Sequence, residues 1–135
     1  MICACTLQAT ATGKQPRLTD DELMTLVQKQ TFRYFWDFAH PESGLARERS
    51  NDRLEIATIG GSGFGVMAII LGVERGFITR EQGAERLLKI VEFLNKADSY
   101  HGIWAHWMDG ATGKTIPFSR KDDGADLVES AFMFE

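Results

Sequence analysis

Leu54-Glu-Ile-Ala-Thr-Ile-Gly-Gly-Ser-Gly-Phe-Gly-Val-Met-Ala-Ile-Ile-Leu-Gly72 supports two readings that lead to different folds. A short β-like run, a glycine loop and an apolar helix are the layout of a dinucleotide fold, and Gly63-x-Gly65-x-x-Ala68 satisfies its loose fingerprint. That reading needs a second strand ending in an acid about 20 residues later, and here that distance falls inside another helix. The reading that survives is helical. The glycines let a helix begin close against its neighbours, with its first amides pointing into a pocket.

The residues that follow support it. Gly76-Phe-Ile-Thr-Arg-Glu-Gln82 stops this helix with a glycine and starts the next with a capping box, Thr79 and Gln82. Ala84, Leu87, Val91 and Leu94 then form an apolar stripe running to about Lys96. Two helices joined by so short a turn pack antiparallel, as an αα-hairpin. Upstream, Thr19 and Glu22 form a second capping box flanked by Leu18 and Leu23, and helical spacing continues to His40-Pro41, where proline stops it. The aromatics Phe32, Tyr34, Phe35, Trp36 and Phe38 on this helix are expected to be core at such spacing, with a ligand platform as the other reading. Pro41 to Asn51 reads as a polar loop.

Between Tyr100 and Phe118 the helical pattern breaks. Asp109-Gly110 and Thr112-Gly113 are turn signals between extended runs, predicting a hairpin or ordered loop. On one extended strand Trp104 and His106 share a face and Trp107 takes the other. Aromatic faces stack on sugar rings and a histidine beside them can bond hydroxyls; buried tryptophans anchoring a loop explain the same residues. No histidine pair or His-acid set has metal-ligand spacing on one element, so neither metal nor cofactor is expected.

The last stretch, Ser119 to Glu135, has an acidic opening and an apolar end. If Asp122 or Asp123 caps a helix, Asp122, Asp126 and Glu129 fall at i, i+4 and i+7 on one face. A carboxylate row of that kind has the scale of a sugar-binding cleft. Acids at a helix start are also favoured by capping and the dipole, and the pattern alone does not choose between the two.

The 135 residues are 44% hydrophobic and 25% charged, enough for a core of about one domain. With 15 basic against 19 acidic residues there is no basic block, which makes nucleic acid an unsuitable partner. Cys3 and Cys5 are the two cysteines, both in the N-terminal tail. Ile2-Cys3-Ala4-Cys5 resembles the end of a lipoprotein signal, with Cys5 as the lipidated residue, and residues 1–17 read as that remnant plus a flexible tether. On that reading the chain is expected in the bacterial cell envelope, periplasmic or anchored at the outer membrane; a tail without meaning explains the same residues.

Four ordered blocks carry a resemblance. Thr58 to Gly65, Gly72 to Arg80, Gly102 to Trp107 and Asp122 to Phe132 resemble, in that order, the bacterial glucoamylase-like family that includes endo-β-1,2-glucanases. The resemblance implies an all-α fold, an (α/α)6 barrel, in a glycoside hydrolase acting on glucans with inversion. It implies that Asp122, Asp126 and Glu129 are the catalytic-cleft acids. Trp104, His106, Trp107 and Phe64 are then the sugar contacts. Twelve helices of ~12 residues with ~5-residue links need roughly 200 residues, and this chain offers about four helices with one aromatic hairpin between the third and fourth. Residues 18–135 are therefore expected to be the N-terminal third of a barrel, inactive alone, with unpaired helix faces open to self-association. A non-catalytic carbohydrate-binding remnant is the alternative, and nucleotide binding at Gly60 to Gly65 a remote one.

Overall fold

The computed structural model of the chain describes residues 17–51 and 53–134. In chain order the elements are α1 (Asp20–Trp36), β1 (Ile56–Thr58), α2 (Ile59–Glu74), α3 (Arg80–Leu94), β2 (Ser99–Tyr100), β3 (Ile103–Trp104), β4 (Trp107–Asp109), β5 (Thr115–Ile116) and α4 (Leu127–Phe134). Helix α2 is the hub, packing against each of the other three helices. Four helices with small extended pieces between the third and fourth are the part of an (α/α) barrel expected from the sequence.

Both capping boxes form. In α1 the Thr19 amide donates to Glu22 Oε2 at 2.8 Å and the Glu22 amide to Thr19 Oγ1 at 3.3 Å. In α3 the same reciprocal pair joins Thr79 and Gln82 at 2.8 and 3.2 Å. Helix α1 ends at Trp36, short of the Pro41 stop read from the sequence. The Phe38 amide reaches back five residues to the Arg33 carbonyl, which closes the helix early. Gly76, at φ +67°, adopts the left-handed conformation that ends α2 and turns the chain into α3.

The core gathers Phe32 from α1, Ile59 and Ile69 from α2, Ile90 and Leu94 from α3, Ala57 from β1, Met108 from β4, and Leu45 and Ile78 from the connecting segments. Backbone contact replaces side chains where helices cross most closely. A Cβ on Gly72 would lie 2.4 Å from the Phe32 ring, so α1 can lie this near α2 only with glycine there. Outside this core, large apolar side chains are exposed on every helix, among them Met24, Ile70, Leu88 and Val128. No helix among the described residues is long and apolar enough to cross a membrane.

The aromatic stretch is more divided than one hairpin. Strands β2 and β3 form a two-stranded sheet, while β4 pairs with both β1 and β5 in the order β1-β4-β5, all antiparallel. Antiparallel pairing throughout removes the dinucleotide fold, whose sheet is parallel. The expected turn between β4 and β5 is built on Asp109. Its Oδ1 accepts from the amides of Ala111 and Thr112 at 3.0 and 2.7 Å and from the Thr112 hydroxyl at 2.9 Å.

These bonds to Asp109, the Thr112 amide foremost, hold its carboxyl below the ordinary value of 3.8. A lowered folded value stabilises the native state above the ordinary value, and the contribution is lost as pH falls through the folded one. Asp109→Ala is expected to cost about 1 to 2 kcal/mol at neutral pH. The gap between variant and parent in urea titrations should close on acidification; a gap that persists in strong acid contradicts this role.

Helix α4 departs from the sequence reading. It begins at Leu127, not at Asp122 or Asp123. Asp122 is already committed: its carbonyl accepts from the amides of Phe118 and Ser119 at 2.8 and 3.0 Å, and its own amide donates to Ser119 at 3.2 Å. Asp126 is held by its amide on the Trp104 carbonyl at 2.8 Å, beside an Ala105–Ala125 bridge. The three acids are thus a loop residue, a cap and a helix residue, with no common helix face.

Candidate active site

The acids still meet, because His106 collects them. It occupies the link between β3 and β4, where its carbonyl accepts from the first amide of α2, Ile59, at 3.2 Å. Its Nδ1 lies 3.2 Å from Asp126 Oδ2 and 3.7 Å from Asp122 Oδ2, and its Nε2 lies 3.9 Å from Glu129 Oε1. All four side chains are partly buried, at 18 to 31% exposed, so they remain reachable from solvent. One imidazole thus has carboxylates near both of its nitrogens, hydrogen-bonded to Asp126 alone.

Two of the acids carry a second duty. Asp126 Oδ1 accepts from the amides of Val128 and Glu129 at 2.9 and 3.0 Å, capping α4. Glu129 Oε2 accepts from the Gly60 amide at 2.9 Å and from the Thr58 hydroxyl at 3.4 Å. Thr58 makes no side-chain cap of its own, so α2 takes its N-terminal anion from α4. This explains the glycines. A Cβ on Gly60 would lie 2.4 Å from that carboxylate, and the pocket faced by the first amides of α2 is filled by Glu129 where a phosphate would sit in the nucleotide reading. Glu129→Ala should cost about 1 to 2 kcal/mol in thermal unfolding, and Glu129→Gln clearly less, since it keeps an acceptor. Equal losses would show that the cap does not matter.

The aromatic candidates separate. Trp104 leaves the His106 side: its ring stacks on Phe134 at 5.1 Å, and its Nε1–H donates to the Leu94 carbonyl at 3.4 Å. The shared face expected for Trp104 and His106 does not exist, because the chain changes sheets at Ala105 between them. Trp107 is buried and meets His106 edge-on at 6.0 Å. Phe64 is exposed and packs on Phe132 at 5.3 Å along the α2–α4 seam. Cys5, the lipidation candidate, lies outside the described residues.

Two groups were missed. The Pro41–Asn51 loop supplies Glu48, whose carboxyl is held below the usual range first by Arg49, with Arg53 and His106 adding to the pull. Tyr34, read as core, donates its hydroxyl to the Arg47 carbonyl at 2.9 Å. Burial pushes that phenol up, and Glu48 adds to the effect. A loop without periodicity carries no sequence signal for either contact. Among the described residues one group could hold a metal ion: single ligand atoms of His106, Asp122 and Asp126 lie within 4.8 Å of one another, a set drawn from different elements and invisible to spacing. The hydrogen bond already joining His106 and Asp126 accounts for that closeness without an ion.

Over most of its length the chain is similar to glucoamylase-like and β-1,2-glucanase proteins. No family model matches the chain. A glucoamylase-like protein from Bacteroides uniformis is 81% identical, with a TM-score of 0.86 over 89% of this chain and 30% of that one. The endo-β-1,2-glucanase of Chitinophaga pinensis, solved with sophorotriose and glucose, is 55% identical, with a TM-score of 0.85 over 87% of this chain and 30% of that one. The exo-β-1,2-glucooligosaccharide sophorohydrolase of Parabacteroides distasonis is 54% identical over 119 residues, 87% of this chain and 16% of that protein. The chain therefore spans less than a third of the length of each of these relatives.

Proposed function

We propose that this chain forms one acidic wall of the cleft of a glycoside hydrolase acting on β-1,2-linked glucan, with inversion. The observation that carries the reading is the meeting of Asp122, Asp126 and Glu129 around His106, in a chain this similar to β-1,2-glucan-acting proteins. Inversion needs carboxyls about 6.5 to 9.5 Å apart, so that water fits beneath the sugar. Asp122 and Asp126 are closer than that, with oxygens within 4.8 Å. They act as one pole, a proton donor or a water-activating base held in place beside His106, and the opposite pole comes from elsewhere in a longer protein. Residues 18–135 alone then bind glucan without cleaving it, and their exposed helix faces self-associate or dock the rest of the barrel.

The test is a chimera in which the matching segment of the Chitinophaga pinensis glucanase is replaced by residues 18–134 of this chain. It should fold and release oligosaccharides from β-1,2-glucan; a folded chimera that releases none overturns the reading. The Ile2–Cys5 stretch supports a lipid anchor at Cys5 in the cell envelope. Cys5→Ser should then move the protein from the membrane to the soluble fraction, and an unchanged distribution rules the anchor out.

A further inference from the structure

We propose that Phe118, which neither composition nor motif singles out, is the platform on which a glucosyl ring of the substrate stacks. The proposal rests on the glucan reading above and adds to it a specific contact. Phe118 is 46% exposed although it stands beside the buried Trp107. Its ring stacks on His106 at 4.2 Å with an interplanar angle of 21°, and meets Trp107 nearly edge-on at 4.7 Å and 66°. Stacking on a partly buried imidazole occupies one face of the phenyl ring, and nearly half of the residue's surface stays open to solvent.

The ring is also fixed relative to the acids. Phe118 and Ser119 both donate their amides to the Asp122 carbonyl, and Asp122 donates back to Ser119, so platform and carboxylate belong to one closed loop. Through His106 the same ring is one contact away from Asp126. A β-glucosyl unit carries its hydroxyls around its rim and C–H bonds on its faces. Resting on the outer face of Phe118, such a ring would bring rim hydroxyls toward Asp122. The contact exists in the ground state and the transition state alike, so it contributes to binding more than to turnover.

Calorimetric titration of sophorotriose into the 135-residue chain, with KM and kcat measured in the chimera, tests this. Phe118→Ala should weaken binding and raise KM by about three- to tenfold while kcat stays near its parent value. Phe118→Tyr, which keeps the ring, should restore both. A purely structural role would instead lower the melting temperature and depress kcat with KM. Sophorotriose affinity and KM that are indifferent to Phe118→Ala overturn the platform alone. If the unsubstituted chain binds no glucan and the chimera cleaves none, the functional reading fails and takes the platform with it.

Discussion

Asp126→Asn in the glucanase chimera should lower kcat by about a hundred- to ten-thousandfold while the protein stays folded. The two oxygens of Asp126 have separable tasks. One caps α4 through the amides of Val128 and Glu129, and asparagine caps as well as aspartate does. The other faces His106 Nδ1 at 3.2 Å, and there the loss of charge cannot be made good. Asp126→Ala should lose both, lowering the melting temperature as well as the rate. The comparison separates chemistry from architecture. If initial rates of sugar release with Asp126→Asn match the parent, Asp126 serves only as a cap.

Gly63→Ala should be the most damaging of the conservative substitutions, costing about 3 kcal/mol. Its Cβ would fall 2.0 Å from the Phe132 carbonyl oxygen and 2.9 Å from the Met133 amide nitrogen. These are backbone atoms of α4, with no rotamer to move away. Helices α2 and α4 must separate, which pulls Glu129 off the Gly60 amide and opens the cluster around His106. Chemical denaturation of the variant should show the loss directly. The contrast is Gly60→Ala, where the new methyl meets only the carboxylate end of the Glu129 side chain, which can swing aside. Gly63→Ala with parental stability would mean that the two helices are not packed as described.

What could be read from the sequence was what local chemistry determines. The capping boxes at Thr19 and Thr79 involve residues three apart, and both form as spelled. The glycines at 60 to 65 were legible as a site of close approach, but their partner was not, because Glu129 lies 69 residues beyond Gly60. The start of α4 was misread for a related reason. Asp122 has good helix-start chemistry, yet the Ser119 turn claims its backbone first, and Asp126 caps the helix four residues later. Trp104 and His106 look like same-face neighbours only if the strand is continuous, and Ala105 interrupts it. The three acids come together around His106 and not along the single helix face expected for them, which does not exist. Glu48 and Phe118 sit in loops, where no period marks them.

The most direct measurement is a map of where the sugar lands: backbone amide shifts of the isotope-labelled chain during titration with sophorotriose. The account predicts that the largest changes cluster at Ala105 to Trp107, Phe118 to Asp122 and Asp126 to Glu129, and that Asp126→Asn and Phe118→Ala each weaken them. Saturating sophorotriose that leaves these amides unmoved, or shifts others instead, would contradict the placement of the glucan cleft at the His106 cluster.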